Sequence, residues 1–526
     1  MAFPFFSKDA GKSKFKIDLY PNLVTIPKFE KRQQVDVRYP LLPPYAFVHI
    51  HWNNDTNDLI YEIEEPILSD TEREIFKLIK LGLEEMINIS FIKATKENIV
   101  IEYLEKSVQS ILIELGTKIS EDSYNKILYY IYRDFVGLNE IEPLLHDYYI
   151  EDIECNGVGF PIYIVHRAFE NLVSNVIFKE HQELTSFVEK LAQKAGRYVS
   201  YAKPLLDGTL PDGSRVNATY SDDVTTRGPT FTVRKFTKEP WTPIHLIKQK
   251  TADPYIFAYI WLAIEHKLNI MVIGETASGK TTFLNSIVNF IPPDARICSI
   301  EDTRELNLAH SNWIPAVSRS GFGVPNMLGH QFGEVSLFDL LRESFRQNPE
   351  YVIVGEVRGE EASVLFQGMA SGHSSFGTFH AGSVNTLVRR LQTPPINLSS
   401  SLVETLDIVV VVTHVRDADH NFRRVKSVSE LIEVKNVGSA VSKDVFEWDP
   451  IKDTYKFNRS SNIIAKISRN TGKKESELLA ELERRAKLIK IITDKDITNF
   501  KDFCQIVSDY YMMPDKVLEK YEVGRK

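Results

Sequence analysis

Residues 271–288 read MVIGETASGKTTFLNSIV. An apolar strand runs into a glycine-rich turn, and a lysine, two threonines and a helical pattern follow. Gly274-Glu275-Thr276-Ala277-Ser278-Gly279-Lys280-Thr281 matches G-x-x-x-x-G-K-[ST], with the strand before it and the helix, continuing through Thr282, behind it. Glycines at these positions let backbone N–H groups curl around phosphate oxygens, and the start of the helix adds positive potential. Lys280 is expected to neutralise β- and γ-phosphate charge, and Thr281 to offer its hydroxyl to Mg²⁺. The bland alternative is an ordinary glycine turn with a chance lysine. The flanking strand and helix count against it, so Gly274 to Thr282 are expected to bind nucleotide.

A phosphate turn alone does not name a reaction, and four further features bear on it. RICSIEDTREL is an apolar strand ending in Glu301 and Asp302, where open α/β sheets place their ligands. Glu301 is a candidate to polarise the attacking water. PEYVIVGEVRG is a second such strand, ending in Glu356, which is expected to hold the Mg²⁺ water shell, with Arg358 close behind. GHSSFGTFHAGS sets His373 and His380 around a third strand. A histidine near a γ-phosphate can sense it by hydrogen bonding. Arg215, Arg227 and Arg234 punctuate turn-rich strands upstream, and arginines of a neighbouring domain or subunit can reach a γ-phosphate. Surface arginines on strand edges are the plain alternative.

The chain has 526 residues, 43% of them hydrophobic and 25% charged, the balance of a globular protein of several domains. Its formal net charge of -8 argues against a general nucleic-acid binder. Cys155, Cys298 and Cys504 are scattered and form no CxxC pair, which suits a reducing cytoplasm and gives neither a disulfide framework nor a cysteine zinc site. The apolar run YIFAYIWLAI, from Tyr255, is too short to cross a membrane. The N-terminus mixes Phe3, Phe5 and Phe6 with Lys8, Lys12, Lys14 and Lys16. Weak contact with an anionic membrane surface is one reading of it. A solvated tail is the preferred one.

Texture changes divide the chain. Residues 1–40 form an irregular lead-in. YPLLPPYAFVHIHW and DLIYEIEEP read as paired strands, and helical patterns follow, with Ser69 and Glu72 at capping-box spacing, to give a strand and helical subdomain over 41–138. Residues 139–236 alternate short strands and turns around a helix near 184–195, a small α+β domain. Residues 237–243, with Pro240 and Pro243, read as a linker. From 244 to 526 strands and helices alternate as in an α/β sheet domain, with a helical C-terminal extension.

In order, GETASGKTT, SIEDTREL, FDLLRESFRQNPEYVIVGEVRG and GHSSFGTFHAGS resemble the Walker A, acidic, Walker B and histidine boxes of the secretion ATPases of type II and type IV secretion and pilus assembly. YPLLPPYAFVHIHW and the Val-Arg-Gly after Glu356 are similar to the archaeal subgroup, the archaellum motor and pilus-assembly ATPases. The acidic box reads EDTRE where the family often has EDPxE. The resemblance covers roughly residues 40 to 510. It implies a RecA-like P-loop motor domain preceded by a PAS-like α+β domain and a smaller helical subdomain. It also implies a homohexameric ring with ATP and Mg²⁺ between N-terminal and motor domains. Glu301 would be the catalytic carboxylate, Glu356 the Walker B residue at the metal with Thr281, and His373 and His380 the histidine box. Arg215 and Arg234, with Arg227 less favoured, would touch the phosphates. The implied partner is a polytopic membrane platform protein, reached from the cytoplasmic face of the cell membrane.

Two other functions fit part of the pattern. A DNA or RNA translocase needs a basic pore or stacking aromatics, against which the acidic total weighs. A nucleotide-gated scaffold would bind ATP and barely turn it over, against which Lys280, Glu301 and Glu356 together weigh.

Overall fold

The computed structural model describes residues 15–19, 21, 24, 26–27, 29, 31–86, 97–236, 239–319, 321, 331–416, 421–436 and 438–523. The aromatic and basic residues Phe3 to Lys14 of the N-terminus lie outside them. The chain divides into two compact units, Met1–Phe236 and Thr237–Lys526.

The first unit is built on one nine-stranded sheet. Its strands are β1 (Asp36–Leu42), β2 (Ala46–Asn53), β3 (Asp58–Glu64), β4 (Ile150–Cys155), β5 (Pro161–His166), β6 (Glu170–Ile177), β7 (Leu205–Thr209), β8 (Arg215–Thr219) and β9 (Thr230–Arg234). Their order is β1-β2-β3-β6-β5-β4-β9-β8-β7. All neighbours are antiparallel except β3 and β6, which meet in parallel through Ile60 opposite Val173 and Tyr61 opposite Ser174. The division expected at residue 138 therefore runs through the middle of a continuous sheet, and a single apolar core joins residues from both sides of it. Alternation explains the strands. In β2, Ala46, Val48 and Ile50 are buried, and the residues between them are partly exposed. The capping box before helix Asp70–Met86 forms as its spacing requires: Ser69 N–H donates to Glu72 at 2.7 Å, and Glu72 N–H to Ser69 Oγ at 3.3 Å.

The second unit carries the phosphate turn. Its strands are β10 (Ile270–Gly274), β11 (Ile297–Glu301), β12 (Trp313–Val317), β13 (Tyr351–Val357), β14 (Ser374–His380), β15 (Ile408–Arg416), β16 (Asn421–Asn436), β17 (Ser439–Asp449) and β18 (Thr454–Phe457). They lie in the order β12-β11-β13-β14-β10-β15-β16-β17-β18. The first six are parallel and the last four antiparallel, with β15 shared. Every residue of β10 and β11 is buried, because helices cover both faces of the parallel part. Ile270 and Val272 face one apolar core, and Met271 and Ile273 the other. The helix Pro254–Glu265 is apolar all round because it is packed inside the first of these cores. Among the described residues no helix is long and apolar enough to cross a membrane. Parallel register brings the C-terminal ends of the strands to one edge, where Gly274 lies opposite His380. Open parallel sheets bind their ligands along that edge.

Candidate nucleotide site

The turn after β10 is shaped by close approach. A Cβ on Gly274 would run into the Val412 carbonyl oxygen of β15 and the Ser278 hydroxyl. Gly279 sits at φ 90°, ψ 24° and starts the helix Lys280–Ile287. Ala277 also has positive φ, 60°, which costs an ordinary residue about 1–2 kcal/mol. Ser278 is wholly buried and its Oγ has no partner among the described residues. A strained, glycine-dependent loop with an unsatisfied buried hydroxyl at a helix start fits a phosphate group.

A chain of polar contacts runs along the strand ends. Lys280 Nζ donates to the Glu275 carbonyl at 2.8 Å and lies 3.3 Å from His380 Nδ1. An ammonium can only donate, so Nδ1 accepts and the ring proton belongs on Nε2. His380 Nε2 is 2.7 Å from Glu356 Oε1, an ion-pair distance, but the angle is off that of a hydrogen bond. The Arg358 guanidinium donates to Glu356 Oε2, and its Nη1 lies 3.9 Å from Asp302. Burial, reinforced by Lys280, pulls the His380 imidazole below its ordinary value, and Glu356 only partly opposes this. Burial also lowers Lys280. For Glu356, burial pushes upward, but the Arg358 hydrogen bond and the charges of Arg358, His380 and Lys280 outweigh it, so its carboxyl lies below the ordinary range. At neutral pH the arrangement is a carboxylate, a neutral imidazole and an ammonium in series.

Glu301, at the end of β11, is 2% exposed. Its Oε1 accepts the N–H groups of Glu305 and Leu306, each at 2.9 Å, while Oε2 is buried without a partner among the described residues. Burial raises this carboxyl from 4.5 to about 7, against those two N–H bonds. Gly355 of β13 makes room for it: a Cβ there would stand 3.0 Å from Glu301 Cγ. A carboxylate with one idle oxygen and a pKa near neutrality has the properties of a general base.

The remaining expected residues separate. Thr281 is half-buried in the first helical turn, and Glu275, Thr276, Ala277 and Thr282 are exposed. His373 stands apart. It precedes β14, whereas His380 ends it, so the length of a strand separates His373 from the phosphate turn. It packs edge-on against Phe345, 4.9 Å between centroids. In the first unit, Arg215 and Arg234 face each other across β8 and β9. Arg215 pairs with Asp207 at 3.2 Å and Arg234 with Asp152 at 3.1 Å. Arg227 lies at the other end of that hairpin, with its guanidinium 4.7 Å over the Phe160 ring. Two arginines at the turn's edge had no sequence signal. Arg423, from β16, donates to the Ala277 carbonyl at 3.1 Å. Arg390 donates to the His380 carbonyl. Arg423 arrives from far along the chain, brought in by the folded sheet, whereas Arg390 reaches back from the helix that follows β14.

The family model for type II/IV secretion system proteins matches residues 137–486. The chain belongs to that family. A second model, PilB3-like C-terminal, matches residues 451–525 of this secretion-family protein. Uncharacterized protein MJ0900 of Methanocaldococcus jannaschii is 34% identical over 515 residues, covering 93% of this chain and 89% of that protein. The type IV secretion system protein PtlH of Bordetella pertussis is 30% identical over 309 residues, 52% of this chain and 88% of PtlH. Among solved structures, the VirB11 ATPase of the Brucella suis type IV secretion system in complex with sulphate overlaps 55% of this chain and 93% of its own, at 24% identity and a TM-score of 0.27. All the residues of the site just described, and the three arginines of the first unit, fall within the family match.

Proposed function

We propose that this secretion-family protein hydrolyses ATP and spends the energy on moving a membrane-embedded assembly, either a pilus-like filament, an archaellum included, or a secretion machine. The observation that carries the reading is the contact series Lys280–His380–Glu356 beside the buried, half-partnered Glu301 on one sheet edge. Lys280 exchanges the Glu275 carbonyl and His380 for phosphate oxygens. The turn's N–H groups hold the same oxygens, and Thr281 and Glu356 are the residues to hold Mg²⁺. That ion would neutralise charge on the β- and γ-phosphates. Glu301 takes a proton from the attacking water. His380, freed from Lys280, reports the γ-phosphate to Glu356. The protein works as a homohexamer at the inner face of the membrane, docked on a polytopic platform protein, with Arg215 and Arg234 contributing to phosphate contacts.

The test is ATP turnover and binding of a fluorescent nucleotide by the full chain. Lys280→Ala is expected to lose both. Glu356→Gln is expected to keep binding and lose turnover by about 100-fold or more. Undiminished turnover in Lys280→Ala would place hydrolysis elsewhere and sink the reading.

A further inference from the structure

The nucleotide site leaves the HIHW motif of β2 unused. Val48 and Ile50 are fully buried, so His49 and His51 project together from the opposite face of the sheet. Their rings lie 4.5 Å apart. Glu62 of β3 is directly opposite His49, and Asp36 of β1 directly opposite His51, which puts all four on one face. One donor atom each from His49, His51 and Glu62 lies within 4.8 Å of the other two. Asp36 Oδ1 is 2.8 Å from His49 Nε2. His51 Nδ1 is buried and has no partner among the described residues. The neighbouring cation, Arg38, is held by Glu64 at 2.6 Å and stacked on Phe47, so its charge is turned along the sheet.

We propose that His49, His51 and Glu62 form a binding site for a zinc-class divalent transition-metal ion, with Asp36 steadying the His49 ring. The donor chemistry selects the ion. Two imidazoles and one carboxylate suit Zn²⁺ and its first-row neighbours, whereas Mg²⁺ and Ca²⁺ take oxygen ligands. Tetrahedral bonds of about 2.0–2.1 Å place donor atoms about 3.3 Å apart, so small side-chain rotations on a rigid sheet close the site. A carboxylate beside a ligating imidazole fixes its orientation and raises its basicity, which is the place Asp36 occupies. Three protein ligands leave a fourth position for water or a donor from another molecule. The site is distinct from the nucleotide edge in residues and in chemistry. It also lies outside residues 137–486, the stretch the secretion-family model matches.

The experiment uses the full chain without a histidine tag. Zn²⁺ alone is titrated calorimetrically and in competition with a chromogenic chelator, and Co²⁺ is followed by its visible absorption. One ion per chain is expected, with the Co²⁺ band of tetrahedral ligation and a zinc-dependent rise in melting temperature. His51→Ala and Glu62→Gln are each expected to weaken Zn²⁺ by at least about tenfold, and Asp36→Asn by about tenfold. Lys280→Ala is expected to bind Zn²⁺ as the wild type does. Melting in EDTA checks that each variant is folded, and His51→Gln replaces any that is not. No stoichiometric binding to the wild type, or unchanged affinity in both His51→Gln and Glu62→Gln, would overturn the assignment.

Discussion

Glu301 is a carboxylate held where ionisation is costly, and the base chemistry proposed for it needs the ionised form. Its carboxyl is raised from 4.5 to about 7 by burial. The sign follows from proton binding. Below about pH 4.5 both folded and unfolded chains hold the proton and stability is unaffected. Between there and about 7 only the folded chain holds it, so stability falls as pH rises. Above about pH 7 the full cost is present, about 3 kcal/mol for a shift of this size. Glu301→Gln keeps an oxygen for the Glu305 and Leu306 N–H groups and removes the charge. The variant is therefore expected to be more stable than the wild type at pH 8, by up to about 3 kcal/mol, and to lose most of that advantage at pH 5. Wild-type turnover is expected to rise with pH through about 7, while the variant stays low throughout. Urea melts at the two pH values check the first expectation, and a stability difference that ignores pH would refute the raised carboxyl. The sequence made Glu301 legible, since an apolar run ending in an acid marks a strand end. It could not reveal the pKa, because the burial that raises it comes from packing against distant parts of the chain such as Gly355 of β13. The separation of His373 from His380 was hidden for a related reason. Seven positions are close in sequence, but along a strand they span the whole sheet.

At the scale of elements, the first unit's sheet is what sequence reading divided. Alternation marked β2 and β3, whereas β1 begins inside the stretch read as an irregular lead-in, and the pairing of β3 with β6 spans more than a hundred residues, which nothing local announces. A buried carboxylate reinforces that union. Asp147, 1% exposed and just before β4, accepts the hydroxyls of Tyr39 in β1 and Tyr61 in β3, each at 2.7 Å, through one oxygen. Its other oxygen accepts the Tyr149 N–H, also at 2.7 Å. Burial, and then the Asp147 charge, pushes both phenols far above their ordinary value, so they remain donors at every working pH. Asp147→Ala strands the buried Tyr61 hydroxyl and the Tyr149 amide, each worth about 1–3 kcal/mol when unsatisfied, and leaves the Tyr39 hydroxyl only His166 Nε2, at 3.3 Å. The loss expected is therefore about 3 kcal/mol or more, measured by denaturant unfolding. Hydrogen exchange is expected to loosen β1–β3 and β4–β9 together. Loosening confined to β4–β9 would mean that the two halves of the sheet are separate cooperative units after all. The shape of the glycine turn, by contrast, was legible, because a tight glycine loop before a helix lies within nine consecutive residues, although Arg423 at its edge was not.

At the scale of the whole molecule, the phosphate contacts we propose for Arg215 and Arg234 are open to test. Arg215 and Arg234 stand directly opposite each other, an arrangement that costs stability for like charges unless something offsets it. Asp207 and Asp152 supply that offset, one to each arginine. A pair so held is poised for an anion, and in a ring the phosphates of a neighbouring chain are the anion we propose. Arg215→Ala is then expected to lower turnover by about 10³-fold while sparing nucleotide binding. Arg227→Ala, at the other end of the hairpin, is expected to change it by less than about twofold. Mixing separates neighbour from self. An Arg215→Ala chain keeps Lys280, and a Lys280→Ala chain keeps Arg215, so each is inactive alone. If the arginine acts across subunits, about a quarter of the interfaces in an equal, random mixture hold both groups, and turnover returns toward about a quarter of the wild-type value. If it acts within its own chain, no pairing of the two variants restores a complete site, and the mixture stays as inactive as its components. Recovered turnover would make the subunit boundary part of the catalytic site. A mixture that stays inactive, with ring assembly intact by light scattering, would overturn the shared site and leave each chain to work alone.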